Sequence, residues 1–491
     1  MERSSLVASG AVPAPPSSGG DGSSMDTILN IVNIAFGAGM LGLPYAIQGS
    51  GFVSGVLGMG IVLVWNFVCC MLLVAIRKEL LTARSEAAKD SAMAKEEGKP
   101  VSFAAVGAYA MGGWGTGLVY LSVVVTLLGA ATAYFINANI LLRATHCYVN
   151  PAGWSKDTAM YVNTFIYMLL MYPMTCIKSL APLSKLSFPA IVALVAGFAV
   201  IIKLGLDMYG WPPMDEILSW DALLFPQTFE GFSSFFGVAV FSYGATIIIL
   251  ELQESMADTT KFVSALRTSL WIIWVSYSVL GGIALLIYQQ NGPVSDNIME
   301  QLPGSSPAQE PLLLFITVAT LFTYPLAMQP VASIFSQALI SAGYGQSSAA
   351  VSDSGYGAIG AEEGGSQGGP TVTGSVTEGP ISSVDGDGSG AEEGPEELSP
   401  VMYYGLRALL VLFTGVCATS VPNFGVVVSL LGSFSVTLGS FVLPPLFHFV
   451  VFGSRLSTWE KILDVVLFVI GVVTCIFTTT TTAIGVFEGD E

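Results

Sequence analysis

The chain has 491 residues, of which 53% are hydrophobic and only 11% charged. A soluble globular protein carries about 25% charged residues, so this composition excludes a single water-soluble domain. The net charge of −18 is unevenly placed: ten of the 35 acids lie between Asp353 and Glu397, a stretch without Lys or Arg. No basic patch points to nucleic acid as a partner.

Several segments of 18 or more apolar residues can each cross the hydrocarbon layer as a helix, which predicts an all-α polytopic membrane protein. Alternating runs of about ten residues, the mark of a membrane barrel, are missing. In chain order, residues 1–25 read as a disordered Ser/Gly/Pro-rich tail and 26–340 as the first eight membrane helices. Residues 341–400 read as an acidic Gly/Ser-rich linker, 401–486 as helices nine to eleven, and 487–491 as a short tail. The expected spans are 27–48, 52–76, 115–141, 158–177, 187–206, 231–250, 268–288, 311–334, 403–420, 424–450 and 460–483. The charged, Ala-rich residues 78–100 read as a short solvated helix after span two. The linker has too little apolar surface to offset its ordering entropy, so it is either a plain disordered connector or a docking site for a cytoplasmic partner.

Lys and Arg orient the chain. The loop after span two holds Arg77, Lys78, Arg84, Lys89, Lys95 and Lys99, whereas the loops on the other side hold only Arg143, Lys156 and Lys203. A cytoplasmic N-terminus is expected, and an odd span number then puts the C-terminus on the far side.

Span one is interrupted near mid-depth by Gly37, Gly39, Gly42 and Pro44. Each interior Gly costs a helix about 1 kcal/mol against Ala, and Pro about 3. Non-helical backbone at that depth is tolerated only where it lines a cavity or is buried in protein. Broken half-helices would offer N–H groups to a carboxylate and C=O groups to a cation, with Asn30 and Asn33 one turn below. Close helix packing is the alternative, above all for Gly42. Span six carries a matching interruption at Ser242, Tyr243 and Gly244. Two interrupted spans five helices apart are what a five-plus-five inverted repeat produces.

In span eight, Thr317, Thr320 and Thr323 share a helix face that either supplies hydroxyls to a cation or back-bonds to its own carbonyls. Glu251, Glu254 and Asp258 read as interfacial solvation, and His448 as a packed histidine near the inner interface. No catalytic constellation stands out: paired acids, a nucleophile with His, or a metal cluster are all missing, so an enzyme is not expected.

The stretch from Asn30 through Asn33, Gly37, Gly39, Leu41 and Gly42 to Pro44 and Ala46 resembles the amino acid/auxin permease family, which includes sodium-coupled neutral amino acid transporters. Leu128–Tyr134, Phe241–Gly244 with Leu250–Gln253, and Thr323–Pro325 follow in the family's order. The resemblance implies a LeuT-like fold, that repeat plus one extra helix. It implies that amino acid binds at the two breaks, with Gly37, Ala38, Gly39 and Met40 taking the carboxylate. Phe241, Ser242, Tyr243, Gly244 and Tyr134 would shape the rest of the pocket. It further implies a Na⁺ site at Asn33 and Thr323, with Thr320 on the same face. Three departures leave the coupling ion, Na⁺ or H⁺, open. Ala38 stands where the sodium-coupled branch often has a hydroxyl, the loop between spans five and six has no Cys, and the linker is long.

The expected function is secondary active uptake of neutral amino acids, since no acid lies in the predicted pocket, with lipid as the surrounding partner and no cofactor beyond the coupling ion. The alternative is an amino acid sensor or channel with little concentrative transport. The host membrane, plasma membrane or an endosomal, lysosomal or vacuolar one, stays open.

Overall fold

The computed structural model describes residues 22–88, 101–143, 145–177, 187–218, 225–226, 228–301, 310–347, 396–421 and 423–488. The N-terminal tail and most of the acidic linker lie outside the described residues.

Among the described residues the architecture is helical. The chain runs through α1 (Ser24–Ala35), α2 (Leu43–Ser50), α3 (Phe52–Ala88), α4 (Phe103–Arg143), α5 (Lys156–Thr175) and α6 (Ser187–Tyr209). It continues through α7 (Phe229–Ser242), α8 (Ile249–Glu254), α9 (Phe262–Tyr288), α10 (Glu310–Leu339), α11 (Pro400–Ser420), α12 (Phe424–Leu431), α13 (Leu443–Phe452) and α14 (Thr458–Glu488). Eight helical stretches are long and apolar enough to cross a membrane, and the bent pair α1/α2 makes a ninth. Helices α5 and α6 stand at the places expected for spans four and five.

Two elements depart from expectation. Residues 78–88 continue α3 and do not start a separate helix, because nothing between Ile76 and Ala88 breaks it and Ala, Glu, Lys and Arg favour helix. Helix α4 begins at Phe103 and turns sharply at Gly112, whose φ of 61° suits a residue without a Cβ. Gly107 and Gly115 touch across that turn, with no room for a Cβ on either.

Span ten is interrupted as well. Between α12 and α13 the backbone winds into two π-turns, Gly432–Val436 and Leu438–Val442. Gly432 packs on the carbonyl of Gly237 in α7, a contact closed to any larger residue.

Helix α14 has an apolar lipid-side face and a small, polar buried stripe. Ile462, Leu463, Val465, Val466, Val469 and Ile470 are exposed, while Asp464, Gly471, Thr478 and Thr482 are buried. These four are spaced by seven, seven and four residues, one helix face. In a membrane this inversion is expected, since lipid accepts apolar side chains and small residues let helices approach. Of the five threonines from Thr478 to Thr482, the first and last lie on this stripe.

The chain divides into two compact units, residues 1–331 with 409–491, and residues 332–408. The first holds both breaks and the candidate site. In the second, the end of α10 leads through a π-turn at Ile340–Tyr344 into β1 (Gly345–Ser347), which pairs antiparallel with β2 (Glu396–Leu398). The two ends of the expected linker are therefore paired as two short antiparallel strands.

Candidate functional site

Helix α1 starts with a reciprocal cap: Ser23 Oγ accepts from Asp26 N at 3.2 Å and the Asp26 carboxylate accepts from Ser23 N at 2.9 Å. It ends at Ala35. Gly37 is extended, Ala38–Gly42 form a 3₁₀ segment, and α2 follows with Pro44 in its first turn, where no N–H is needed. The two halves meet at 51°. Span one is thus broken around Gly37, and the break frees carbonyls at the end of α1 and N–H groups at the start of the second half.

Span six is interrupted more mildly. Helix α7 ends at Ser242, Tyr243 caps it, and Gly244–Ile248 tighten into a 3₁₀ segment before α8. The two interruptions touch. A Cβ on Gly39 would lie 2.5 Å from Ser242 Oγ and 3.0 Å from Phe241 Cδ1. A Cβ on Gly37 would lie 3.7 Å from the Tyr134 hydroxyl of α4. Gly244 faces Val436 of the first π-turn in span ten. Gly37, Gly39, Tyr134, Phe241 and Ser242 therefore converge, with Met40 fully buried beside them and Ala38 opening the 3₁₀ segment. No Asp, Glu, Lys or Arg is among these residues.

Two polar side chains on neighbouring helices hold the breaks, and the sequence reading missed both. The Tyr277 hydroxyl of α9 lies 2.5 Å from the Ala35 carbonyl oxygen and 3.0 Å from that of Ser242, so it bridges the ends of α1 and α7. Its ring also packs edge-on against Tyr243. Asn66 of α3 donates from Nδ2 to Thr246 Oγ1 at 2.8 Å and to the Tyr243 carbonyl at 3.3 Å. Asn66 and Tyr277 are buried polar residues in apolar spans, the one sequence signal that could have singled them out. Tyr243 was anticipated; its hydroxyl is buried without a hydrogen-bond partner among the described residues.

The anticipated cation residues are more scattered. Asn33 is half-buried on α1 and Asn30 is exposed. Thr317 donates to the Leu313 carbonyl, and Thr320 to those of Ile316 and Thr317, which is back-bonding within α10. Thr323 is half-buried. Helix α10 packs through Tyr324, whose ring stacks on Phe135 of α4 and whose hydroxyl meets Thr414 of α11 at 2.7 Å. It makes no extended contact with α1 among the described residues.

The face that carries the N-terminus is tied together by charges that read in sequence as interfacial solvation. Glu254 at the end of α8 pairs with Arg77 of α3 and also accepts from Val101 N, both at 3.1 Å. Glu251 accepts from Phe103 N at 3.4 Å. Gly22 pairs with the chain just after α8, donating to Ser255 O and accepting from Ala257 N. Asp258 is the exception, an exposed cap for Thr260 with Lys261 beside it. Those hydrogen bonds, Thr260 first, hold its carboxyl below the usual aspartate range.

Comparison with known proteins decides the family. The family model described as transmembrane amino acid transporter protein matches residues 20–484. The chain belongs to this family. It is 27% identical over 481 residues to the amino acid transporter ANT1 of Arabidopsis thaliana, covering 97% of this chain and 96% of that one. It is 24% identical over 447 residues to the vesicular inhibitory amino acid transporter of Mus musculus, 90% of this chain and 72% of that one. Vacuolar amino acid transporter 4 of Saccharomyces cerevisiae is 24% identical over 332 residues, 65% of this chain and 41% of that one. Among solved structures, MhsT in complex with L-phenylalanine superposes with a TM-score of 0.52 at 13% identity, covering 94% of this chain and 99% of that one. A Na⁺-coupled sialic acid symporter gives a TM-score of 0.50 at 12% identity, covering 95% of this chain and 90% of that one. The fold is therefore LeuT-like, and the chain is a multi-pass membrane protein of a family of amino acid transporters, not of enzymes.

Proposed function

We propose that this protein is a secondary active transporter of neutral amino acids, driven by Na⁺ or H⁺ through alternating access. The observation that carries the reading is the convergence of Gly37 and Gly39 with Tyr134, Phe241 and Ser242 in the buried interior. Backbone at Gly37, Ala38, Gly39 and Met40 would take the carboxylate, because the first N–H groups of a helical segment have no preceding turn to donate to; of the four, Met40 N also donates to the Gly37 carbonyl at 3.3 Å. The amine would meet carbonyls at the ends of α1 and α7, and Phe241, Tyr243 and Tyr134 would bound the side chain beside Ser242 and Gly244. With no charged side chain among these residues, a cationic or anionic substrate side chain would be buried without a counter-charge, which costs several kcal/mol.

The coupling ion would sit at Asn33 with Thr320 and Thr323 if it is Na⁺. Back-bonded threonine hydroxyls keep lone pairs, so their bonding is compatible with that role. One charge crossing 100 mV supplies about 2.3 kcal/mol, enough for a gradient of about 50-fold. Vacuolar and vesicular transporters among the relatives support an acidic organelle as the host membrane and the proton as the driving ion. The acidic linker would face the cytoplasm with the N-terminus, within reach of a partner. Uptake of single amino acids by purified protein in liposomes, with Na⁺ and pH gradients imposed separately, tests the reading.

A further inference from the structure

The stripe of α14 that turns away from lipid begins with an acid. Asp464 is 1% exposed and lies six residues, or about 9 Å, into the helix. Its Oδ2 lies 2.7 Å from Nδ1 of His448 on α13, which is 12% exposed. An intramembrane carboxylate is expensive to bury and persists where it has a partner and a role. Packing alone does not ask for an acid here: Gly471 and the threonines on the same stripe seat α14 without charge.

We infer that His448 and Asp464 form a proton-binding site that latches α13 to α14. Histidine is the side chain whose charge ordinarily changes between about pH 5 and 8. With Asp464 ionised and Nδ1–H donating to it, a second proton on the imidazole creates a buried ion pair across the two helices. Loss of that proton leaves a neutral ring and a weaker tie.

The surroundings contain few competing charges. Within α14, Glu460 is near enough to interact with His448, and on α3 Cys69 is near enough to interact with Asp464. Arg455, in the turn between α13 and α14, pairs with Glu79 of α3 and has Tyr109 of α4 nearby. Helix α4 meets α13 through the rings of Phe103 and Phe447. The π-turn Leu438–Val442 has no titratable side chain. Arg455 and Glu79 place the pair toward the N-terminal face, since Glu79 is two residues from Arg77, which ties down Glu254.

The latch has a mechanical path to the breaks. Helix α13 continues directly from that π-turn, and Gly471 of α14 packs on its Phe441 carbonyl. Gly439 in the same turn sits on Ser122 of α4 and Ile247 in the span-six 3₁₀ segment. A proton at His448 therefore restrains span ten where it meets span six.

The chain has two histidines. His146 is exposed and pairs with Glu310, apart from this site, so His146→Gln leaves His448 as the sole histidine. The test is a ¹⁵N NMR titration of that imidazole from pH 5 to 8 in nanodiscs, with and without Asp464→Asn, alongside the pH profile of thermal stability for His448→Gln. The inference expects the imidazole to titrate in this window, with a curve that Asp464→Asn displaces. It expects the pH profile of stability to differ between wild type and His448→Gln across this window. An imidazole that does not titrate, a curve unmoved by Asp464→Asn, or identical stability profiles would overturn it. None of these readouts requires transport, so failure of the amino acid reading would be seen separately.

Discussion

Gly39 in the broken first span lies against Ser242 at the end of α7 so closely that a methyl group on Gly39 would come within 2.5 Å of Ser242 Oγ and 3.2 Å of its Cα. The two interrupted spans are therefore fitted to each other, and the fit depends on a missing side chain. Gly39 does not need a left-handed backbone; it needs proximity.

Gly39→Ala should therefore damage the site by overpacking. The hydroxyl of Ser242 can move, but its Cα cannot, and inserting a methylene into a packed interior costs about 1–3 kcal/mol. Amino acid affinity, measured by calorimetry on purified protein, should fall by about 10- to 100-fold. Gly39→Ala with Ser242→Gly should recover part of the loss, as expected for residues in contact. Strictly additive effects would contradict the contact.

Tyr277→Phe removes one oxygen that serves two buried carbonyls, Ala35 and Ser242. Leaving buried acceptors without a donor costs about 1–3 kcal/mol. The melting temperature should drop and substrate affinity fall, with little change in ring packing against Tyr243 and Phe36. Asn66→Leu should act in the same direction through Thr246 and the Tyr243 carbonyl. Unchanged affinity in both variants would remove these side chains from the support of the site.

The first break was legible because several weak signals coincide: Gly37, Gly39, Gly42 and Pro44 all oppose helix within eight residues. The partner break was legible mainly from its interval, and its 3₁₀ form was not, since no proline marks it. Tyr277 and Asn66 were hidden because only the folded chain reveals which carbonyl each reaches. The same holds for Asp464, whose histidine partner is on another helix. The π-turns of span ten leave no residue-level signature, since Gly432 and Gly439 read as ordinary small packing residues.

The Arg77–Glu254 pair is half-shielded and has Val101 N as a third member. Glu254→Gln should loosen the N-terminal face, because Arg77 is left largely buried without its counter-charge. Cys70 is buried about 10 Å deeper along α3, beside Asn66 and Thr246. Its modification by a small maleimide should be several-fold faster in Glu254→Gln than in wild type, and charge reversal at both positions should restore protection. Equal labelling rates would separate the pair from access to the interior.

At the opposite end, Glu310 accepts from His146 N at 2.7 Å, and this bond with the His146 side chain holds its carboxyl below the usual range. A lowered carboxyl pKa contributes stability that is present above the unfolded value, about 4.3, and is lost as pH falls through the folded one. Glu310→Gln should thus lower thermal stability slightly at pH 5 to 7, by an amount that shrinks as pH falls below about 4.3. A variant whose deficit grows on acidification would contradict this assignment.

The central claim is that the two touching breaks carry a neutral amino acid across the membrane against its gradient. The most direct measurement is accumulation of a panel of amino acids in liposomes holding the purified protein, with a Na⁺ gradient, a pH gradient or neither. The account predicts accumulation of neutral amino acids above equilibrium under one of the two gradients, and a higher substrate concentration needed to reach it in Gly39→Ala. Equilibration without accumulation under both gradients, or preferential uptake of charged amino acids, would contradict it.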